Sequence, residues 1–600
     1  PGLLKARISG SMHKRDGYIR NTYDGSGPNP LNAPARVADI DSTAARLQFD
    51  LTPTDTSSFL FNFHYGESDT SGVRFNHRGL FDPEAFASGS IALCADTRLD
   101  QGECVDALGY AEGDADPDTV SYNNPVREQL KAWGTNLQAS IGIGDYNFTS
   151  ITAYENTKRE SVFDGEESPL NLLDAFHNPR YKQFSQEIRL SSPVDKKLRW
   201  TVGGFYFEEN LDFTGTFDLF REVRDDIAAA AAALNLGPPL VLGFNPTGGP
   251  DLAAQLGNPI FAFPTLSSLY EYDQKVESWA LFGQVYYDLT EKLTATLGLR
   301  YSEEDRTFNY RSSLQEPFLP AEGILLAETN DELENNKTSF SDLSFRIALE
   351  YRANDDLFFY TSVSRGAKSG GFNGAFLLAQ AQTAPFEDEQ VTAYELGMKS
   401  EWLDNRFRLN LTGFYYDYKD LQLFTLQSTA GVPQQILSNA PAAEIYGAEL
   451  ELLFRPTSNL QIGTGLSFLE TEITESFIGP SGADLKGNDL AYSPSFSING
   501  NIEYIVPLND DAELALQADT AFTKGSFTET NNISRLKSED GFLVNTRVAY
   551  RQGNWEFSLY GRNILDKRFI QYSADLSDFG LDRVQYNEPA TYGVGVRFLY

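Results

Sequence analysis

The sequence predicts an all-β, transmembrane antiparallel β-barrel, and three observations predict it: apolar residues alternate with polar ones, ionic side chains sit on the face opposite the apolar row, and connections alternate short and long. The alternation has period two, the strand signature. In the last segment Tyr592, Val594, Val596, Phe598 and Tyr600 fall on one face, with Gly593, Gly595, Arg597 and Leu599 on the other. Trp555, Phe557 and Leu559 alternate with Glu556, Ser558 and Tyr560. Phe407, Leu409 and Leu411 alternate with Arg408, Asn410 and Thr412, and Glu449 and Glu451 with Leu450 and Leu452. A β-sandwich would bury such charges in a dry core at high cost, whereas a wide barrel has a wet lumen that accepts them.

About twenty such segments are legible, in keeping with the even strand numbers of bacterial outer-membrane barrels. The short connections are 53–55, 144–145, 192–197, 290–292, 353–355, 403–405, 456–459, 507–511 and 552–554, rich in Pro, Gly, Asn and Asp turn chemistry. The long ones include 67–130, 210–270, 303–336, 366–387 and 524–540. Short turns at one end and long loops at the other follow the outer-membrane pattern, with the turns periplasmic. In one long loop Asp225, Asp226 and the run Ala228 to Ala233 read as a short helix.

Composition narrows the class. No stretch approaches the ~20 apolar residues of a membrane helix. The 43 Phe and 30 Tyr suit interfacial aromatic girdles. A net charge of −36 argues against nucleic acid as a partner, which demands a basic stripe. With no linker or low-complexity tract, residues 1–600 read as one barrel domain. The start, Pro1 to Lys5, has no signal-peptide character and lies inside a strand pattern, so the expectation is that upstream sequence is missing.

Cys94 and Cys104 stand close together in a polar segment, and no His stands at ligand spacing to either. A disulfide is expected, worth roughly 3 kcal/mol on the chain-entropy model, in an oxidising compartment. Asp114, Asp116 and Asp118 are spaced like the start of a calcium loop, but Thr119 replaces the glycine and no closing Glu follows. A loose surface Ca2+ site there stays open; no other cofactor is expected. His13, His64, His77 and His177 form no catalytic or metal motif and read as loop or lumen residues. Gly366 to Gly374 lacks the phosphate-loop pattern and reads as a strand end entering a loop. Nothing points to an enzyme.

Several segments, in order, resemble the TonB-dependent outer-membrane receptor family: Asp16 to Asn21, Ser364 to Asn373, Ala393 to Lys399 with Arg406 to Lys419, Asn439-Ala440 with Ile445 to Glu449, Arg562 to Phe569, and the ending through Pro589 and Tyr592 to Tyr600. The resemblance covers nearly the whole chain and implies 22 strands around an N-terminal plug. Here the plug and first two strands are expected to be absent, with Asp16 to Asn21 ending the third strand. Direct pairing of 3–20 with 590–600 would instead close the barrel at twenty.

The resemblance further implies active import of a scarce ligand, by default a ferric siderophore, with TonB–ExbB–ExbD acting through the plug. Other implied partners are outer-membrane lipid and lipopolysaccharide, the small-molecule ligand, and the barrel assembly machinery reading Phe598 and Tyr600. Phe372, Asn373, Tyr270 and Tyr272 are the candidate ligand-contacting loop residues. Alternatives are a passive porin, uptake of a glycan, vitamin or aromatic compound, and a soluble β-rich carbohydrate-binding protein or propeller.

Overall fold

The computed structural model describes all residues except 1–2, 24–32, 72–74, 100, 108, 114, 171–172, 220–265, 315–332, 375–383, 430–431, 480–481 and 600. The alanine run, Asp114 and Tyr600 therefore lie outside the described residues. Twenty strands form one sheet. It runs from Leu4–Arg15 through Ile40–Thr54, Ser57–Thr70 and Arg127–Ile143 to Trp555–Arg562 and Thr591–Phe598. Each strand is antiparallel to its neighbour in the chain order of the sheet.

Every expected short turn falls between two strands, for example between Ile143 and Tyr146 and between Gln552 and Trp555. The strands, however, penetrate far into the expected loops. Leu198–Leu219 and Leu293–Leu314 each have 22 residues. At ~3.4 Å per residue, they reach well past the ~10 residues a bilayer crossing needs. The overshoot is at the long-loop end. There, Phe407–Thr429 and Val432–Thr457 stay in register out to Thr429 opposite Val432.

The burial pattern is inverted relative to a soluble protein. Leu396 is 66% exposed, Leu281 61% and Val594 76%. Leu297, Leu299 and Tyr301 form an exposed row at alternate positions, as do Ile347, Leu349 and Tyr351. Leu411 and the row Tyr592 to Phe598 also face out. Apolar surface this extensive is incompatible with water, which removes the soluble alternative. The opposite face is ionic. Arg547 and Arg551 grip Glu556 at 2.6 and 2.8 Å, Arg551 reaches Glu513 at 3.0 Å, and Asn410 donates to Glu451 at 3.1 Å.

Among the described residues Leu4–Arg15 pairs only with Ile40–Thr54, and Thr591–Phe598 only with Trp555–Arg562. The two edges do not pair with each other; an Arg15–Glu588 contact of 3.0 Å joins their long-loop ends. The expected third strand is also shorter than predicted. It stops at Arg15, and Ile19–Asn21 enters a separate small sheet, antiparallel to Arg36–Val37 and parallel to Thr119–Val120. Gly17 allows the departure: a Cβ there would meet the Val37 carbonyl oxygen at 2.6 Å. The Asn21 amide then ties the backbone of Pro34 and Tyr122.

The two faces should respond oppositely to charge. Leu299→Arg, on the outward row, should cost about 2–4 kcal/mol in a bilayer, read as lowered urea resistance of the refolded protein in vesicles. Asn410→Lys, on the inward face opposite Glu451, should cost under ~1 kcal/mol in the same assay.

Candidate ligand-capture face

Period-two alternation carries aromatic residues onto the inward face near the long-loop end, and cross-strand register makes them a ladder. Phe213 lies directly opposite Tyr272, and Tyr272 opposite Tyr310. The Phe213 and Tyr272 rings stack at 4.5 Å with planes 8° apart. Phe308 stacks on Phe372 at 5.0 Å. The Tyr270 hydroxyl meets His177 Nε2 at 2.7 Å, and His177 sits between Phe163 and Phe213. Gly374 lets the chain cross Tyr272, since a Cβ there would be 2.7 Å from that ring.

Three of the four residues singled out from sequence, Tyr270, Tyr272 and Phe372, thus meet in one cluster. Asn373 does something else. Its amide donates to the Leu437 carbonyl at 3.2 Å and accepts from the Leu437 N–H at 2.9 Å, clamping its segment to the strand Val432–Thr457. Gln422 pins the same segment through the Ser369 and Glu387 carbonyls, both at 3.0 Å. Tyr270, Phe308, Tyr310 and Phe372 are buried, whereas Phe213 and Tyr272 are half-buried. Below the ladder Arg306 bonds Glu304 and Ser369, both at 2.7 Å.

Three long connections form a cap over this end. In the segment between Thr70 and Arg127, Cys94 and Cys104 form the expected disulfide, with Cα atoms 6.1 Å apart. Asn76–Gly79 from this segment pairs with Leu581–Tyr586, which pairs with Ile570–Leu576. One buried apolar cluster runs from Phe81, Cys94 and Cys104 through Phe579 and Leu581 to Tyr270, Phe308 and Phe372. The cap and the aromatic ladder are therefore one packed unit.

Charges lock the cap. Arg535 reaches Asp575 at 2.6 Å and Asp582 at 3.1 Å, and Arg78 reaches Asp582 at 3.0 Å. Glu529 accepts from the Asp575 N–H at 3.0 Å. Burial, with Asp575 and Asp582 nearby, pushes the Glu529 carboxyl up to about 7. Burial likewise raises Asp582, against the opposing pull of Arg78 and Arg535. His77 is buried beside Asp106 at 3.3 Å, and His64 contacts Glu155 at 3.0 Å. Asp116 accepts from the Asp118 N–H, and the Asp118 carboxylate pairs with Arg568. Among the described residues no group of three or more His, Cys, Asp or Glu is placed to share a metal ion.

Two outcomes follow for the cap. Reducing the disulfide, or Cys94→Ser with Cys104→Ser, should cost the cap roughly 3 kcal/mol of local stability, seen as faster amide exchange over 80–107 with the barrel unaffected. Glu529 gains its proton more readily folded than unfolded. Its stabilising contribution is full below about 4.5, the ordinary value, and is lost as pH rises through about 7. Intrinsic-rate-corrected exchange over 526–538 and 570–586 should therefore be faster at pH 8 than at pH 6, and Glu529→Gln should flatten that difference.

Residues 8–564 match the family model described as TonB dependent receptor-like, beta-barrel. The pesticin receptor of Yersinia pestis is 24% identical over 323 residues, which is 52% of this chain and 43% of that protein. The chain thus aligns with less than half the length of that curated relative. The ferric yersiniabactin uptake receptor FyuA from Yersinia pestis superposes with a TM-score of 0.70 at 16% identity, covering 100% of this chain and 75% of that one. The siderophore receptor PiuA from Acinetobacter baumannii superposes with a TM-score of 0.68 at 14% identity, covering 100% and 78%. With its apolar exterior, ionic lumen and capped long-loop end, the chain belongs to the TonB-dependent receptor β-barrel family of the bacterial outer membrane.

Proposed function

We propose that this chain is the barrel of an active importer that captures a ferric siderophore at its long-loop, extracellular end. The observation that carries this reading is the half-open Phe213–Tyr272 stack facing the lumen beneath the cap. The two rings stack face to face in nearly parallel planes, so their accessible edges offer edge-to-face contacts to a ligand with aromatic groups. The names of the relatives, receptors and uptake proteins, support reception and transport rather than catalysis. The cap packed across the ladder speaks against a passive open pore.

A plug and additional strands supplied by the rest of the protein complete this reading. The unpaired edges Leu4–Arg15 and Thr591–Phe598 need backbone partners in lipid. TonB would act through the plug, and the barrel assembly machinery would read the C-terminal strand. In that strand Phe598 packs on Trp555 at 4.7 Å.

The test is growth of a strain lacking the full-length gene under iron starvation, fed single ferric siderophores. Growth should fail on one siderophore and return with the wild-type gene. Phe213→Ala or Tyr272→Ala in the full-length protein should weaken binding of that siderophore by about 3–10-fold, with the folded barrel retained. Undiminished growth on every siderophore, together with unselective solute flux through reconstituted protein, would overturn the importer reading in favour of a porin.

A further inference from the structure

Beside the aromatic ladder the inward wall holds a cleft with more negative than positive charge. Glu304 and Arg306 lie on the inward face of Leu293–Leu314, and Phe340 lies directly opposite Glu304 on Leu333–Asn354. The segment around Gly370 supplies the other side. Gly371 and Phe386 exchange backbone hydrogen bonds of 3.1 and 2.8 Å. Gly370 permits this approach, since a Cβ there would stand 2.3 Å from the Phe386 carbonyl oxygen. Phe340, Phe386, Glu387 and Asp388 thereby line one space with Glu304 and Arg306.

The charges there do not cancel. Arg306 is engaged by Glu304 and Ser369, both at 2.7 Å. Asp388 accepts from the Gln390 amide at 3.2 Å. Glu387 is exposed and forms no ion pair and no side-chain hydrogen bond among the described residues. Its backbone, by contrast, is held at both ends: the N–H donates to Asn439 Oδ1 at 2.8 Å and the carbonyl accepts from Gln422 at 3.0 Å. Lys368 lies opposite Glu389 and does not line the cleft. Three carboxylates thus meet one guanidinium. Among the described residues no group of three acids is placed to share a metal ion. Two phenyl rings beside surplus carboxylates suit an organic ammonium instead, which is attracted both by the charge and by the ring faces.

Size limits what enters. The cleft measures about 280 Å³, just below the ~300 Å³ lower bound of pockets that bury a drug-sized ligand. It can take a side arm but not the body of a chelate. The ladder is adjacent. Phe308 lies two residues beyond Arg306 on the same face and stacks on Phe372, and the Tyr272 ring lies 5.6 Å from Phe308.

We propose that this cleft binds a positively charged amine on an arm of the imported ligand, whose body rests against Phe213 and Tyr272. The inference rests on the importer reading and narrows it to ligands that carry an ammonium group. The probe is phenethylammonium, a ring and an ammonium joined by a short chain. It and its N-acetyl derivative are titrated into the full-length protein in detergent, and binding is read by saturation-transfer NMR.

Wild-type protein should bind the amine about fivefold more tightly than the acetylated compound, and Glu387→Gln/Asp388→Asn should abolish that preference. Glu277→Gln, at an outward acid paired with Lys275, should leave it unchanged. Equal binding of the two compounds by wild type overturns the amine site. An unchanged preference in the double variant also overturns it, showing attraction by the net charge of −36 alone. If the double variant gives no heat-modifiable folded band, Glu387→Gln is read by the same criteria, with about a twofold loss expected. A siderophore identified by the growth test should displace the amine and bind the double variant about threefold more weakly. A siderophore that binds the double variant normally overturns the arm assignment and leaves the importer reading intact. The absence of any siderophore phenotype fails the importer reading and is read separately from the titration.

Discussion

The structure depends on one constraint: in hydrocarbon, every strand N–H and C=O must find a partner on a neighbouring strand. A single continuous antiparallel sheet meets that demand along its whole interior. The pleat then sends alternate side chains to opposite solvents, lipid outside and water inside. Leu297, Leu299 and Tyr301 are consequently as open as surface charges would be in a soluble protein, while Arg547, Arg551 and Glu556 knit the lumen wall. The constraint also singles out the seam. At Leu4–Arg15 and Thr591–Phe598 the outward residues Ile8, Met12, Val594 and Val596 continue the lipid-facing pattern. Lipid-compatible cover for these edges must therefore be β-structured, since only a strand both pairs an edge and continues the alternation.

Beyond the bilayer the same strands serve a different purpose. Where Leu198–Leu219 and Leu293–Leu314 overshoot the membrane, the inward face no longer lines a water-filled cylinder alone; it becomes a wall for aromatic packing. The long connections fold onto that wall because it offers apolar surface that solvent would otherwise meet. The disulfide and the Arg78–Asp582–Arg535 network then reduce the freedom of segments too irregular to be held by strand pairing.

The parts of this architecture that were legible in the sequence are those governed by local chemistry. Turns such as Gly144-Asp145 and Gln552-Gly553-Asn554 are set by residues within the turn itself, and the period of the flanking strands needs no distant information. Cys94 and Cys104 were legible for the same reason: they are close in sequence as well as in space. Strand length was underestimated because the overshooting ends carry polar residues such as Asn210, Asp212 and Thr214, which read as loop. The candidate site was only partly legible. Tyr270, Tyr272 and Phe372 are visible as aromatics near strand ends. Their assembly with Phe213 and Phe308 depends on cross-strand register, a non-local quantity fixed by turns far away. Asn373 has a partner that its sequence position does not reveal: both functional groups of its amide bond the Leu437 backbone.

Burial separates the roles within the ladder. Tyr270, Phe308, Tyr310 and Phe372 are shielded by one another and by the cap, so a ligand could touch them only by displacing packed neighbours. Phe213 and Tyr272 retain accessible surface on stacked rings in nearly parallel planes. The buried four therefore act as the foundation that fixes the orientation of the open two. Pre-organisation of this kind spares a ligand the entropic cost of ordering the rings on binding. On the proposed reading it also ties ligand contact to the cap, because Phe372 and the disulfide segment belong to the same apolar cluster. Loosening the cap withdraws support from the rings, which makes the two half-open aromatics sensitive to changes made well outside the lumen.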